Sequence, residues 1–355
     1  MSRSDVYIGG VTEDVWKYFP NLDPDATIPS EGVSHLIFDN MSGSLEYSDT
    51  SGGDLFSPQY LAVHPSLPIL YASEFAKPGR LASFEIDDVG RLGPPSAIET
   101  FGTMAVAVAV NPSGNCAYVA HLGEGTLTAC PLDTSGSIIG AMPVMSVSPR
   151  TKLHHVVVTP NGEALIVVDF GGDRVSVYKL DTVGMPTEPP VHIDLPEGSS
   201  PRHIEFHPSG QIAYLVGEGD AELYVLEAHN HIPISIMNSH PVSPPHFAER
   251  CSPSELQLHP DGRTLFVGVR RANCIAVFDV SDATRVTALH HQPSLGRNPR
   301  TLSLDPGGRH LLVGNWHANN VTVFAIDDDR RLLPVDGPMH MPSPSSIVFR
   351  PSTSW

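Results

Sequence analysis

Seven copies of one strand–turn–strand segment, spaced 45 to 52 residues apart, predict an all-β chain folded as a seven-bladed β-propeller. Two further features point the same way. Apolar and polar residues alternate within the copies with the period of a strand, and the last copy lacks the later strands with which the chain opens.

The copies are "LAVHPSLPILYAS", "VAVNPSGNCAYVA", "VVVTPNGEALIVV", "IEFHPSGQIAYLV", "LQLHPDGRTLFVG", "LSLDPGGRHLLVG" and the terminal "IVFRPSTSW". Their prolines are Pro65, Pro112, Pro160, Pro208, Pro260, Pro306 and Pro351, at intervals of 47, 48, 48, 52, 46 and 45 residues. Each copy reads as an apolar strand, a proline-led turn that in most copies carries glycine, and a second apolar strand. A third follows in most, as in "DRVSVYKLD", "NCIAVFDV" and "NNVTVFAID". The last copy stops after one strand, "SSIVFRPS", whereas the chain opens with a second strand, "DVYIGG", and a third, "SHLIFDNMSGSLEY". The C-terminal strand therefore completes the blade begun at the N-terminus, and residues 1–355 form one domain without a free sheet edge. A linear solenoid leaves the complementary ends unexplained.

Composition agrees. The chain has 30 Gly and 34 Pro among 355 residues and only 17% charged residues, which suits short strands joined by turns. A formal net charge of −18 argues against nucleic acid or an anionic membrane as partner, though a few arginines gathered in a pocket can reverse the field locally. No signal peptide is read in "MSRSDVYIGG", and the apolar run "MAVAVAVNP" is too short to span a bilayer. Cys116, Cys130, Cys251 and Cys274 lack metal-ligand spacing and read as reduced thiols, so a cytoplasmic location is expected.

In a propeller blade the first strand lies innermost and the second returns antiparallel to it. The start of the first and the end of the second thus share one face at the mouth of the hub. Six residues before each repeat proline stand Gln59, Val106, His154, Arg202, Ser254, Arg300 and Ser345. Ten residues after it stand Phe75, Leu122, Phe170, Glu218, Arg270 and Trp316, with His203, Glu255, Asp169 and Asn315 alongside. Charge next to a narrow axis is costly unless paired or used, so these columns mark a candidate site. Residues 11–32, which carry Trp16, Tyr18 and Phe19, interrupt the closing blade on this face and are expected to form a lid.

The segments "HHVVVTPNGEALIVVDFGGDRVSVY", "PRHIEFHPSGQIAYLV", "SELQLHPDGRTLFV" and "NPRTLSLDPGGRHLLVGN" resemble the lactonase family of seven-bladed propellers, which includes 6-phosphogluconolactonases and 3-carboxy-cis,cis-muconate lactonizing enzymes. The resemblance spans nearly the whole chain. It implies catalytic roles for His154, Arg202, Glu218 and Arg270; from the rim columns, Arg300, Asn315, Trp316, Asp169, Phe170 and His203 are the expected substrate contacts. Where the family has a polar start to its second blade, this chain reads "MAVAVAVNP"; Gly217 precedes Glu218, Val269 precedes Arg270, and Trp316 stands where a smaller polar residue is common.

Two reactions suit these groups. In lactone hydrolysis, Glu218 or His154 acts as base on water while Arg202 and Arg270 hold the developing oxyanion and any substrate anion. In a cofactor-independent lactonizing cyclisation, the arginines bind carboxylates and His154 or Glu218 moves the proton. Hydrolysis of a small sugar-acid or carboxylated lactone is the first expectation and cyclisation the second. A non-catalytic binding platform is the third, and it predicts a flat face without convergent charge. A small anionic or lactone substrate is the expected partner of a monomer or homodimer, without metal or other cofactor. His229, His231, His240 and His246 fall in the longest interval and read as a flexible loop, while His64, His207 and His259 of the "HP" turns read as structural.

Overall fold

A computed structural model describes residues 3–12, 28–145, 150–187, 189–247 and 249–351. These residues form seven antiparallel sheets. Blades one to six take their innermost strands from Pro58–Val63, Ala105–Val110, Leu153–Val158, Pro201–Phe206, Pro253–Leu258 and Pro299–Leu304. The closing blade is ordered Pro344–Phe349, Arg3–Gly10, Val33–Asp39, Leu45–Ser51, so its innermost strand comes from the C-terminal end of the described chain. Val6 pairs with Phe349 and Ile8 with Ile347, closing the wheel as the complementary ends require.

Two expectations are corrected. "SHLIFDNMSGSLEY" is two strands, not one: Asp39 Oδ1 accepts hydrogen bonds from the backbone N–H of Met41 and Ser42, and Gly43 takes a φ of +76°, turning the chain back on itself. The long interval holding His229, His231 and His240 is likewise no loose loop. It forms the outer hairpin of blade four, Glu222–His229 against Ile232–Pro241. Outer strands carry a mostly exposed, broken alternation, which is why their pattern is weak in the sequence.

The core lies between blades. Seven apolar clusters each join one neighbouring pair, for example Val225 and Tyr214 of blade four with Val267 and Phe278 of blade five. Repeated hydrogen bonds tie the same interfaces. Tyr7, Tyr71 and Tyr214 donate to the carbonyls of Gly90, Gly136 and Ala283 in the next blade at 2.8, 2.5 and 2.9 Å, and Tyr118 donates likewise to Gly184. The "HP" histidines form a second series. His64 and His207 accept a backbone N–H at Nδ1, which leaves Nε2–H facing the carbonyl of Gly114 or Gly262 in the next turn, at 2.9 and 3.1 Å; His259 Nε2 likewise lies 2.8 Å from the Gly308 carbonyl, with Nδ1 2.8 Å from Asp261 Oδ1. Their structural reading therefore holds.

Among the described residues no helix is long and apolar enough to cross a membrane, and no group of three or more His, Cys, Asp or Glu is placed to hold a metal ion. The four cysteines are buried free thiols. We predict that Tyr214→Phe, which orphans the Ala283 carbonyl, lowers stability by about 1–2 kcal/mol. A denaturation midpoint equal to that of the wild type would show that the tie contributes nothing.

Candidate active site

In all seven blades, the pairing of first and second strands slips at the same place. Pro58 pairs with Glu74 and then Tyr60 with Ser73, skipping Gln59; Ala105 and Ala107 flank Val106, and Leu153 and His155 flank His154 in the same way. Arg202, Arg300 and Ser345 are skipped in blades four, six and seven, and in blade five Ser254 and Glu255 fall between paired neighbours. A β-bulge leaves one residue out of the ladder and re-aims its side chain. Here six of the seven residues, Gln59, Val106, His154, Arg202, Arg300 and Ser345, line one hub cavity together with Tyr60, His203 and Glu255. The seventh, Ser254, instead donates to the carbonyl of Pro299 at 2.6 Å and so links blade five to blade six.

The second-strand ends form a ring outside this one. The backbone N–H groups of Phe75, Leu122, Glu218, Arg270 and Trp316 donate to the carbonyls of Ser57, Met104, Ser200, Ser252 and Asn298, equivalent residues just ahead of each innermost strand. Across blades four and five this ring becomes an ion-pair clamp. Glu218 Oε2 lies 2.6 Å from Arg270 Nη2 and 3.2 Å from Arg202 Nε. Arg270 is further fixed by donating Nε–H to the Ser252 carbonyl at 3.2 Å. Arg300 lies over the Trp316 ring at 4.4 Å and donates to Gln59 Oε1 at 3.4 Å.

Electrostatics set the protonation states. Burial pushes the Glu218 carboxyl up, but Arg270 and Arg202 outweigh it and hold the group below the ordinary carboxylate value, so it is ionised. Burial, with Arg202, Arg300, His155 and Arg270 nearby, holds His154 well below the usual histidine value, so the ring is neutral. Its Nδ1 has no hydrogen-bond partner. Burial and the neighbouring Arg270 bring Arg202 down to about 10, still a cation at neutral pH. Three guanidiniums thus gather about two carboxylates, Glu218 and Glu255, so cations outnumber carboxylates here although the chain carries −18.

Below the ring lies a layer of buried polar groups. His203 stacks on His155 with centroids 4.5 Å apart, and Tyr60 donates to Glu255 Oε1 at 3.2 Å. Deeper in the hub, burial and the nearby Glu255 push Glu205 up to about 8.

Of the residues picked from sequence, His154, Arg202, His203 and Arg300 line the cavity. Glu218 and Arg270 join Arg202 in the clamp, Trp316 underlies Arg300, and Phe170 lies 5.9 Å from the His154 ring. Two expected substrate contacts stand elsewhere. Asp169 Oδ1 accepts the N–H groups of Lys152 and Gly172, and Asn315 donates to Ser294 O and Asn320 Oδ1, so both brace rim turns. Each is the last paired residue of its second strand, one place before the ring positions Phe170 and Trp316 that the fixed offset selects. Gln59, Val106 and Ser345 were in the aligned column yet carried no charge to mark them, and Tyr60 and Glu255 follow their bulge residues directly. The lid expected over residues 11–32, with Trp16, Tyr18 and Phe19, falls largely outside the described residues. Its described flanks are fixed on this face: Ser30 N–H donates to Val11 O at 2.8 Å and Ile28 N–H to Asn319 Oδ1 at 2.7 Å.

Fold and site together define a seven-bladed propeller with a cationic, acid–base-equipped hub mouth. The sequence profile described as "Lactonase, 7-bladed beta-propeller" matches residues 5–349, and the chain belongs to that family. It is 25% identical over 238 residues to the 6-phosphogluconolactonase of Yersinia enterocolitica, covering 66% of this chain and 70% of that one. The solved periplasmic gluconolactonase of Pseudomonas aeruginosa is 25% identical, with a TM-score of 0.85 over 98% of this chain and 99% of that one. A Lactobacillus plantarum protein, 22% identical, shares the fold with a TM-score of 0.84 over 98% of this chain and 100% of its own.

Glu218→Gln removes the carboxylate between two cations. We predict a stability loss on the order of 2 kcal/mol at neutral pH, below the ~3–5 kcal/mol of a fully buried pair because a quarter of the side chain is solvated. The folded-state pKa is depressed, so this contribution exists above the unfolded carboxylate value of 4.5 and is lost as pH falls through the lower folded value. Unfolding curves of the two proteins should converge in acid; a gap independent of pH would contradict the clamp.

Proposed function

We propose that this protein hydrolyses a small lactone bearing an anionic group, with the reaction at the hub mouth. The observation that carries this reading is the Arg202–Glu218–Arg270 clamp beside a neutral, unpartnered His154 on one ring. The lactonase names of its relatives support the reaction class. Convergent charge also speaks against a flat binding platform.

In this scheme the substrate anion and carbonyl oxygen face the guanidiniums of Arg202, Arg270 and Arg300. Water adds to the carbonyl carbon while His154 Nδ1 accepts its proton, and the oxyanion is held by arginine N–H donors. Collapse of the tetrahedral intermediate breaks the bond to the ring oxygen, which takes the proton back from His154. The product hydroxy acid then ionises to solvent.

Glu218 is poorly suited to be the base, because the two arginines that hold it ionised also lower its affinity for a proton. Its role here is to fix the guanidiniums in place. The cations that keep His154 neutral oppose its protonation in the free enzyme, and a bound anion offsets their field and raises its basicity when substrate is present. Ring closure in the reverse sense would use the same groups, but the relatives' names favour opening.

Proton release in a pH-stat, across γ- and δ-lactones with and without an anionic group, tests the reading. Anionic lactones should turn over. His154→Ala should lower kcat about 10²–10⁴-fold, and Arg202→Ala should lower kcat/KM by roughly 10²-fold or more. Because His154 is depressed in the free enzyme, the acid limb of kcat/KM should fall well below pH 6.5, and the limb of kcat at higher pH than that of kcat/KM. Turnover untouched by both substitutions would remove the reaction from this site.

A further inference from the structure

The ring is not polar all round. Taken in blade order from the closing blade, its outer positions are Val11, Phe75, Leu122, Phe170, Glu218, Arg270 and Trp316. Only blades four and five carry charge there. Beyond the seven inter-blade cores, one further apolar cluster joins Val11, Phe75, Val106 and Trp316, with Met104 and Leu122 packed against it. It draws on the closing blade and blades one, two and six, across the mouth from the clamp. Val106 brings it into the cavity that His154, Arg202 and Arg300 also line, and Arg300 above Trp316 is the seam between the halves.

Two buried polar groups on this side lack partners: Gln59 Nε2 and Trp316 Nε1, in side chains 3% and 4% exposed. Both are donors. Gln59 Oε1 already accepts from Arg300, so the unpartnered groups of Gln59 and Trp316 are donors, and the cavity's unpartnered acceptor, His154 Nδ1, is the base of the reading above. A hydroxyl placed on this wall would bury an O–H without an acceptor, a cost an alkyl or ring C–H does not incur. The two N–H groups instead match oxygens that only accept, such as a lactone carbonyl or ring oxygen.

Resting on the hydrolase reading above, we propose that the substrate is an amphipathic lactone: an anionic group held by the arginines of blades four to six, and an alkyl or aryl flank seated against Val106 and the half-buried Leu122, with Phe75 and Trp316 packed behind them. Val106 is the specificity-determining residue, since it alone brings this cluster into the bulge ring. A polyhydroxylated sugar lactone, which would turn hydroxyls toward the same wall, is the disfavoured class.

The test compares γ-lactones differing at one substituent, n-propyl against dihydroxypropyl, each prepared with a carboxylate and with a phosphate as the anion. The propyl compound should show a kcat/KM at least about 10-fold higher in one or both anion series. Val106→Thr, which keeps the volume and adds a hydroxyl, should reduce that ratio about 10-fold. Leu122→Asn, at a half-buried position, should narrow it in the same direction, and thermal unfolding confirms that both variants are folded. Equal turnover of the two substituents, or preference for the dihydroxypropyl compound, overturns this inference and leaves the hydrolase reading standing. Hydrolysis of none of the four compounds overturns the hydrolase reading and this inference with it.

Discussion

The arrangement depends on one backbone irregularity made seven times. A strand with strict alternation would direct Arg202 or His154 by the same parity as the rest of its ladder. The extra residue at the head of each innermost strand breaks that parity and turns six side chains toward one cavity. Only a fold that repeats a blade about an axis can multiply one bulge into a ring. The inter-blade tyrosine and histidine bonds hold the blades in the relative positions that this convergence needs. Seven equal positions with different residues then allow asymmetric chemistry on a symmetric scaffold.

That asymmetry resolves an apparent conflict of charge. The chain is strongly acidic, yet three arginines crowd the hub mouth around two carboxylates, Glu218 and Glu255. Acidic surface keeps the protein soluble, while a small enclosed cationic region attracts an anion at close range. Glu218 makes the crowding tolerable, since without it Arg202 and Arg270 would face each other uncompensated in a largely desolvated place. The same crowding keeps His154 neutral in the free protein, and in the proposed reaction an arriving anion would offset it, so that binding and proton transfer would share one electrostatic cause.

Much of this was legible in the chain itself. The proline-anchored copies gave blade number, closure and the two columns of rim positions, because the second strands are buried on both faces and their apolar runs are strong. Arg202, Glu218, Arg270, His154 and Arg300 could be picked out because charge at a narrow axis is conspicuous. The outer strands could not be parsed: "SHLIFDNMSGSLEY" and the histidine-rich hairpin of blade four lie where burial imposes little pattern. Asp169 and Asn315 brace turns one residue before the ring, a difference invisible in the chain because a carboxylate or amide serves a turn as readily as a ligand. The bulge itself left no mark on the periodicity, and neutral Gln59 and Val106 were visible only as column members until register showed where they point.

The most direct test is a crystal structure with a non-hydrolysable anionic lactone analogue, such as the matching lactam. The account predicts that its anionic group lies within hydrogen-bond distance of Arg202 or Arg270 and its ring carbonyl beside His154, inside the circle of bulge residues. Density for the analogue at the opposite end of the hub, or on the outer strands, with those three side chains untouched, would contradict it.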